Sequence, residues 1–156
     1  LETKSEIKDF LANLEQYATN LIGSKDIELI IECDENAMGR VSYLNRFTLW
    51  QVLTSLLNIS IKNTDTGTIT ILLSLIKKND KEYLELSIAD TGKGLLGLQQ
   101  VELKELDNEI LMHIEEGIEK GWLINAKTSS QSLNGVLEIE NIPEKGFIGM
   151  VTIPLH

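Results

Sequence analysis

Asp90 closes the alternating segment Leu84–Ala89 and is followed by Thr91-Gly92-Lys93-Gly94, so a carboxylate stands at a strand end beside two residues without side chains. Glycines there allow backbone conformations and close approaches that a Cβ would forbid. The residues alone also fit a plainer reading, a β-turn with a capping Asp. Some thirty residues earlier, Lys62 and Thr64 end an apolar segment, where a cation offsets the dipole of a helix end. The other reactive types are few. Two His and one Cys are too few soft ligands for a zinc site, and Cys33 reads as a buried small hydrophobe rather than a nucleophile.

Hydrophobic period indicates the elements on which these residues sit. Ile7, Phe10, Leu11, Leu14, Tyr17, Ala18 and Leu21 recur at steps of three and four, giving one helical stripe. Thr3 and Glu6 have capping-box spacing, and Gly23 suits the position past the helix end. The segment Asp26–Cys33 is β-branched and reads as a strand. From Tyr43 to Asn63 the period is helical again, with Leu49, Val52, Leu53, Leu56, Leu57 and Ser60 on the buried face. Two strands separated by Lys-Lys-Asn-Asp-Lys then form a hairpin ending at Asp90. Residues 99–120 are acidic and read as a helix, with Leu103, Leu106, Ile110, Ile114 and Ile118 on one side. The polar stretch 125–135 has no clear period, so a weak helix and a loop both fit, and a terminal hairpin closes the chain. The expected class is α+β, a two-layer α/β sandwich whose mixed sheet carries its helices on one face. The 156 residues form a single domain, 1–156, without repeats or linkers.

Fourteen Lys and Arg against 24 Asp and Glu give a formal charge of −10. Such a surface repels phosphate backbones, which argues against nucleic-acid binding. No apolar run approaches a membrane span, so membrane contact by this domain is not expected. One Cys excludes a disulfide framework and fits a reducing, cytoplasmic location, including the cytoplasmic part of a membrane-anchored parent.

Two blocks, the segment Trp50–Ile71 and the segment Leu84–Leu95, resemble the N-box and first glycine box of the histidine-kinase-type ATPase domain of the GHKL superfamily. The order of elements is similar as well, which implies a Bergerat-type ATP-binding fold. The resemblance implies that Asp90 accepts a hydrogen bond from the adenine amino group and that Gly92 and Gly94 shape the pocket floor. Lys62 and Thr64 match the family's basic and hydroxyl positions. The family's two asparagines, the second of which holds Mg²⁺, correspond here to Ser55 and Ile59. Isoleucine has neither donor nor acceptor and cannot hold a hard cation. Asn58, the neighbour of Ile59, is rotated about 100° away on the helix. Asp90, Gly92, Gly94, Ser55, Asn58 and Lys62 are therefore the candidate residues of a vestigial nucleotide pocket, with no metal ligand and no catalytic residue among them.

The interval that in the family holds a lid and a second glycine pair is here acidic, and its nearest remnant is Lys120-Gly121-Trp122-Leu123. A phosphate approaching it would meet Glu102, Glu105, Asp107, Glu109, Glu115, Glu116 and Glu119. The stretch from His113 to Gly117 is vaguely similar to the phosphoacceptor of histidine phosphotransfer domains, although a surface His among acids is usually just solvated. The expected function is that of a degenerate, kinase-like domain of a two-component phosphorelay protein, working through a protein partner and without a cofactor. That partner would be another domain of the parent, a response regulator or a phosphotransfer domain, with a homodimer formed through the parent as a further expectation. One alternative is a functional ATP- and Mg-binding catalytic domain of a sensor kinase, and another is an anti-sigma-like partner-binding relative. The opening Leu-Glu-Thr-Lys-Ser reads as an excised fragment, so neighbouring domains are expected to supply the phosphoacceptor.

Overall fold

The computed structural model describes residues 4–41 and 44–155. Eleven elements succeed one another among these residues: α1 (Lys4–Ile22), β1 (Asp26–Cys33), α2 (Glu35–Val41), α3 (Arg46–Asn63), β2 (Thr66–Lys78), β3 (Lys81–Asp90), β4 (Val101–Glu105), α4 (Asn108–His113), α5 (Ile118–Ser132), β5 (Val136–Ile142) and β6 (Gly146–Pro154). The strands form one sheet in the order β1-β2-β3-β6-β5-β4. Among the described residues only β1 and β2 pair in parallel, and α2 and α3 supply the long crossover that a parallel pair requires. The remaining pairs are antiparallel, so the sheet is mixed.

Alternation decides which side of the sheet carries the helices. Along β2, Ile69, Ile71 and Leu73 are buried, as are Leu84, Leu86 and Ile88 of β3 and Phe147, Val151 and Ile153 of β6, while alternate residues such as Thr70, Ser87 and Met150 are less so. These rows meet α1, α3 and α5 in one continuous core. The α+β, two-layer arrangement read from the sequence is the one found.

Helix α3 lies at the centre of the helical layer, between α1 and α5. The stripe expected from its sequence is buried, and Ser55, Ile59, Ile61 and Asn63 are buried as well. Asn45 caps its first turn by accepting from the Thr48 amide at 3.1 Å. On its α1 side, Trp50 meets Phe10 and Tyr17 edge-on, each at 5.7 Å between ring centres. Tyr43 and Thr3 lie outside the described residues, so the expected helix start and capping box do too. In α1, Ile22 is buried and Leu21 exposed, which moves the end of the apolar stripe by one residue. The β2–β3 turn is made by Asn79 and Asp80, both at positive φ, as a tight two-residue hairpin favours.

The acidic helix expected over residues 99–120 is not formed. Val101–Glu105 instead adds an edge strand to β5, with Lys104 opposite Ile139 and Glu105 opposite Glu138. Asp107 then caps the short helix α4, its Oδ1 accepting from the Ile110 amide at 2.9 Å. Gly117, at φ 153°, separates α4 from α5. A single helix would have put Leu103 and Ile118 in the core, yet both are exposed, while Leu106, Ile110 and Ile114 are buried. The polar stretch whose sequence fits a weak helix and a loop equally is the second half of α5. Its small side chains, Ala126, Ser129 and Ser130, are buried, so close packing gives the stability that an apolar stripe would otherwise provide.

Candidate functional site

The site starts where β3 ends. Asp90 Oδ1 accepts from the amide of Gly92 at 2.9 Å and from that of Phe147 on β6 at 3.2 Å. Asp90 Oδ2 is buried without a partner, as are Ser60 Oγ and Thr64 Oγ1. Burial therefore raises the carboxyl pKa above its ordinary value; the nearby Ser60 hydroxyl and the two amides only partly oppose this. An acceptor left bare in the interior is costly, and it fits a group that would bring a donor, as the resemblance implies for an amino group.

The glycines are required by space. A Cβ on Gly92 would lie 2.3 Å from the Asn63 carbonyl and 2.5 Å from Thr64 Oγ1, so the box is pressed against the end of α3. Lys93 continues the contact, its amide donating to Asn63 O at 3.0 Å and its carbonyl accepting from Glu144 at 2.9 Å. Gly94 has φ 81°, and a Cβ on it would come within 2.7 Å of Asn141 Oδ1. Asn141, fully buried on β5, organises the loop beyond Gly94: Oδ1 accepts from the Leu95 amide, and Nδ2 donates to the carbonyls of Leu98 and Gln99.

The other candidates lie along α3, and the structure separates them. Ser55 is buried and its Oγ accepts from Asn125 Nδ2 of α5 at 2.7 Å. Asn58 leaves the candidate pocket: it faces α1 and accepts from the Tyr17 hydroxyl at 2.7 Å, on the side its helical rotation dictates. Ile59 is wholly buried. Lys62 Nζ bonds Glu119 Oε1 at 2.9 Å, and Asn63 Nδ2 donates to Glu119 Oε2 at 3.3 Å. A cavity of about 140 Å³ lies beside this pair, bounded by Lys62, Leu96, Ile114 and residues 115–119.

The acids expected to face a phosphate are thus dispersed. Glu115, Glu116 and Glu119 border that cavity, whereas Glu102 and Glu105 lie on the edge strand, Asp107 caps α4, and Glu109 borders a different hollow with Lys104 and His113. Cys33 is remote, at the end of β1, and its thiol is pushed up to about 11, first by burial and then by Asp34.

Asn63, Ser60 and Asn141 were missed as site residues by sequence reasoning, and Glu119 was read as one of seven acids facing a phosphate, not as the partner of Lys62. Asn141 left a signal, since alternation from Leu137 and Ile139 places it on the core face of β5. The pairing of Glu119 with Lys62 and Asn63 left none, because a carboxylate in a first helical turn is ordinary.

The residues fit an Mg-nucleotide only at one end. Asp90 offers a bare acceptor at the end of β3. At the position that resembles a metal ligand stands a buried hydrocarbon, and the cation at the end of α3 is already paired. Among the described residues no group of three or more His, Cys, Asp or Glu side chains could hold a metal ion. No helix among them is long and apolar enough to cross a membrane.

No protein-family model matches the sequence, and no curated protein matches it either. Solved structures do. Full-length ShkA in complex with AMPPNP is similar over 96% of this chain and 30% of that one, at 18% identity and a TM-score of 0.69. The histidine kinase AdeS of Acinetobacter baumannii is similar over 96% of this chain and 64% of that one, at 14% identity and a TM-score of 0.67. The catalytic domain of the histidine kinase ThkA, in a nucleotide-free form, is similar over 96% of this chain and 91% of that one, at 18% identity and a TM-score of 0.58. The chain therefore spans under a third of full-length ShkA and just under two thirds of AdeS, and has the fold of a histidine kinase catalytic domain.

Proposed function

We propose that this domain is a degenerate, kinase-like module of a two-component phosphorelay protein, which transmits signals through a protein partner and does not bind Mg-ATP. The observation that carries this reading is Ile59, fully buried at the position resembling the magnesium-holding asparagine. It offers no oxygen, and its neighbour Asn58 is engaged by Tyr17 on another face.

At the Lys62 end the space is small, a cavity of about 140 Å³ against the about 300–1,000 Å³ of ligand pockets. The carboxylates around it oppose a polyanion. Losing charged hydrogen bonds costs about 1.5–3 kcal/mol each, and two or three such losses take a micromolar site to millimolar or weaker. The partner is then another domain of the parent, a response regulator or a phosphotransfer domain.

The bare Oδ2 of Asp90 favours the second reading, a functional ATP-binding domain, and ShkA was solved with AMPPNP. Calorimetry decides between them. Titration of the domain with Mg-ATP up to about 1 mM is expected to give no saturable heat. Micromolar, magnesium-dependent binding would establish the second reading instead.

A further inference from the structure

We propose that Glu119 is a built-in plug, an autoinhibitory contact by which the chain fills its own anion receptor with a carboxylate. The inference deepens the reading of the site as closed to nucleotides and rests on it.

Both oxygens of Glu119 are held by consecutive residues at the end of α3, Oε1 by the Lys62 ammonium at 2.9 Å and Oε2 by the Asn63 amide at 3.3 Å. Asn63 is buried, so its amide needs an acceptor inside the protein. Glu119 itself lies in the first turn of α5, where the helix dipole favours negative charge, and its side chain is only 13% exposed. A cation and a buried amide thus hold the two oxygens of one carboxylate, donors that would otherwise receive a small oxyanion. Truncating that carboxylate would join its volume to the cavity lined by Leu96, Ile114 and Gly117.

The rim carries two further carboxylates, Glu115 and Glu116, the second paired with Lys120 at 2.6 Å, so the cavity beside the plug disfavours an added anion. Lys62 stays half-exposed, and Glu119 fastens the end of α3 to the start of α5. Displacement of Glu119 is therefore the step that would free both the cation and the Asn63 amide.

Inorganic pyrophosphate is the probe, added to the whole 156-residue chain and to its Glu119→Ala and Glu119→Gln variants. Calorimetry is expected to show no saturable binding to the unaltered chain up to about 10 mM and at least about tenfold tighter binding to Glu119→Ala. Lys62→Ala added to Glu119→Ala should abolish that gain. Circular dichroism checks folding. If Glu119→Ala does not fold, Glu119→Gln carries the comparison, because it keeps the shape and the Asn63 bond while losing the charge. The plug is overturned if the folded variants bind no more tightly than the unaltered chain, or if that chain already binds pyrophosphate as tightly. Micromolar Mg-ATP binding by the unaltered chain would overturn the proposed function instead, so the two failures are distinguishable.

Discussion

Asp90 has one oxygen satisfied by two amides and one left bare beside Ser60, and this asymmetry makes a measurable demand on its charge. A raised folded pKa means that the native state binds the proton more tightly than the unfolded chain does. The contribution of this group to stability is thus fully present below the ordinary value of 3.8 and is lost as pH rises through the folded value. Asn at this position would keep Oδ1 for Gly92 and Phe147 and turn a donor toward Ser60. Asp90→Asn is expected to stabilise the domain at pH 7 by about 1 kcal/mol in urea unfolding, with the gain shrinking toward pH 3.8. A loss of stability at pH 7 would mean that the bare oxygen has a partner after all. Much of this residue was legible beforehand: a strand end, a carboxylate and two glycines are a pattern along the chain. Its burial was not, because that depends on Ser60 and Phe147, thirty and 57 residues away in sequence.

At the scale of elements, the loop from Gly94 to Gln99 has one turn bond of its own, from the Leu98 amide to the Leu95 carbonyl at 3.3 Å, and a single strand residue supplies most of its order. Asn141 reaches it with three bonds from a fully buried position. Asn141→Ala would leave the Leu95 amide and two carbonyls short of partners, at a cost of about 3 kcal/mol in unfolding free energy. Hydrogen exchange at Leu95 should accelerate in the same variant, and unchanged protection would show that the loop is held elsewhere. The helices α1 and α3 were legible because long apolar periods leave few alternatives. The segment 99–120 misled because Leu106, Ile110 and Ile114 do share a helical spacing, while pairing to β5 and the Gly117 break are non-local or conformational facts. Short elements such as α2, β4 and α4 carry too few residues to show a period.

For the molecule as a whole, the formal charge of −10 sets a self-repulsion that salt screens, while each ion pair among the described residues keeps at least one partner well exposed to solvent and contributes little. Raising sodium chloride from about 20 mM to about 500 mM should therefore raise Tm by a few degrees, as read by differential scanning calorimetry. A fall would mean that ion pairs, Lys62 with Glu119 foremost, outweigh the repulsion. The sequence by itself determined the layered α+β class, the central helix, the corner at Asp90 and the lack of an oxygen at Ile59, since each follows from local period or from what one side chain can donate. Only the tertiary structure decided that Asn58 turns away, that the acids divide between an edge strand and a cavity rim, and that Lys62 is answered by Glu119. Those are meetings between residues far apart in the chain, and they depend on where the sheet sets α5 against α3.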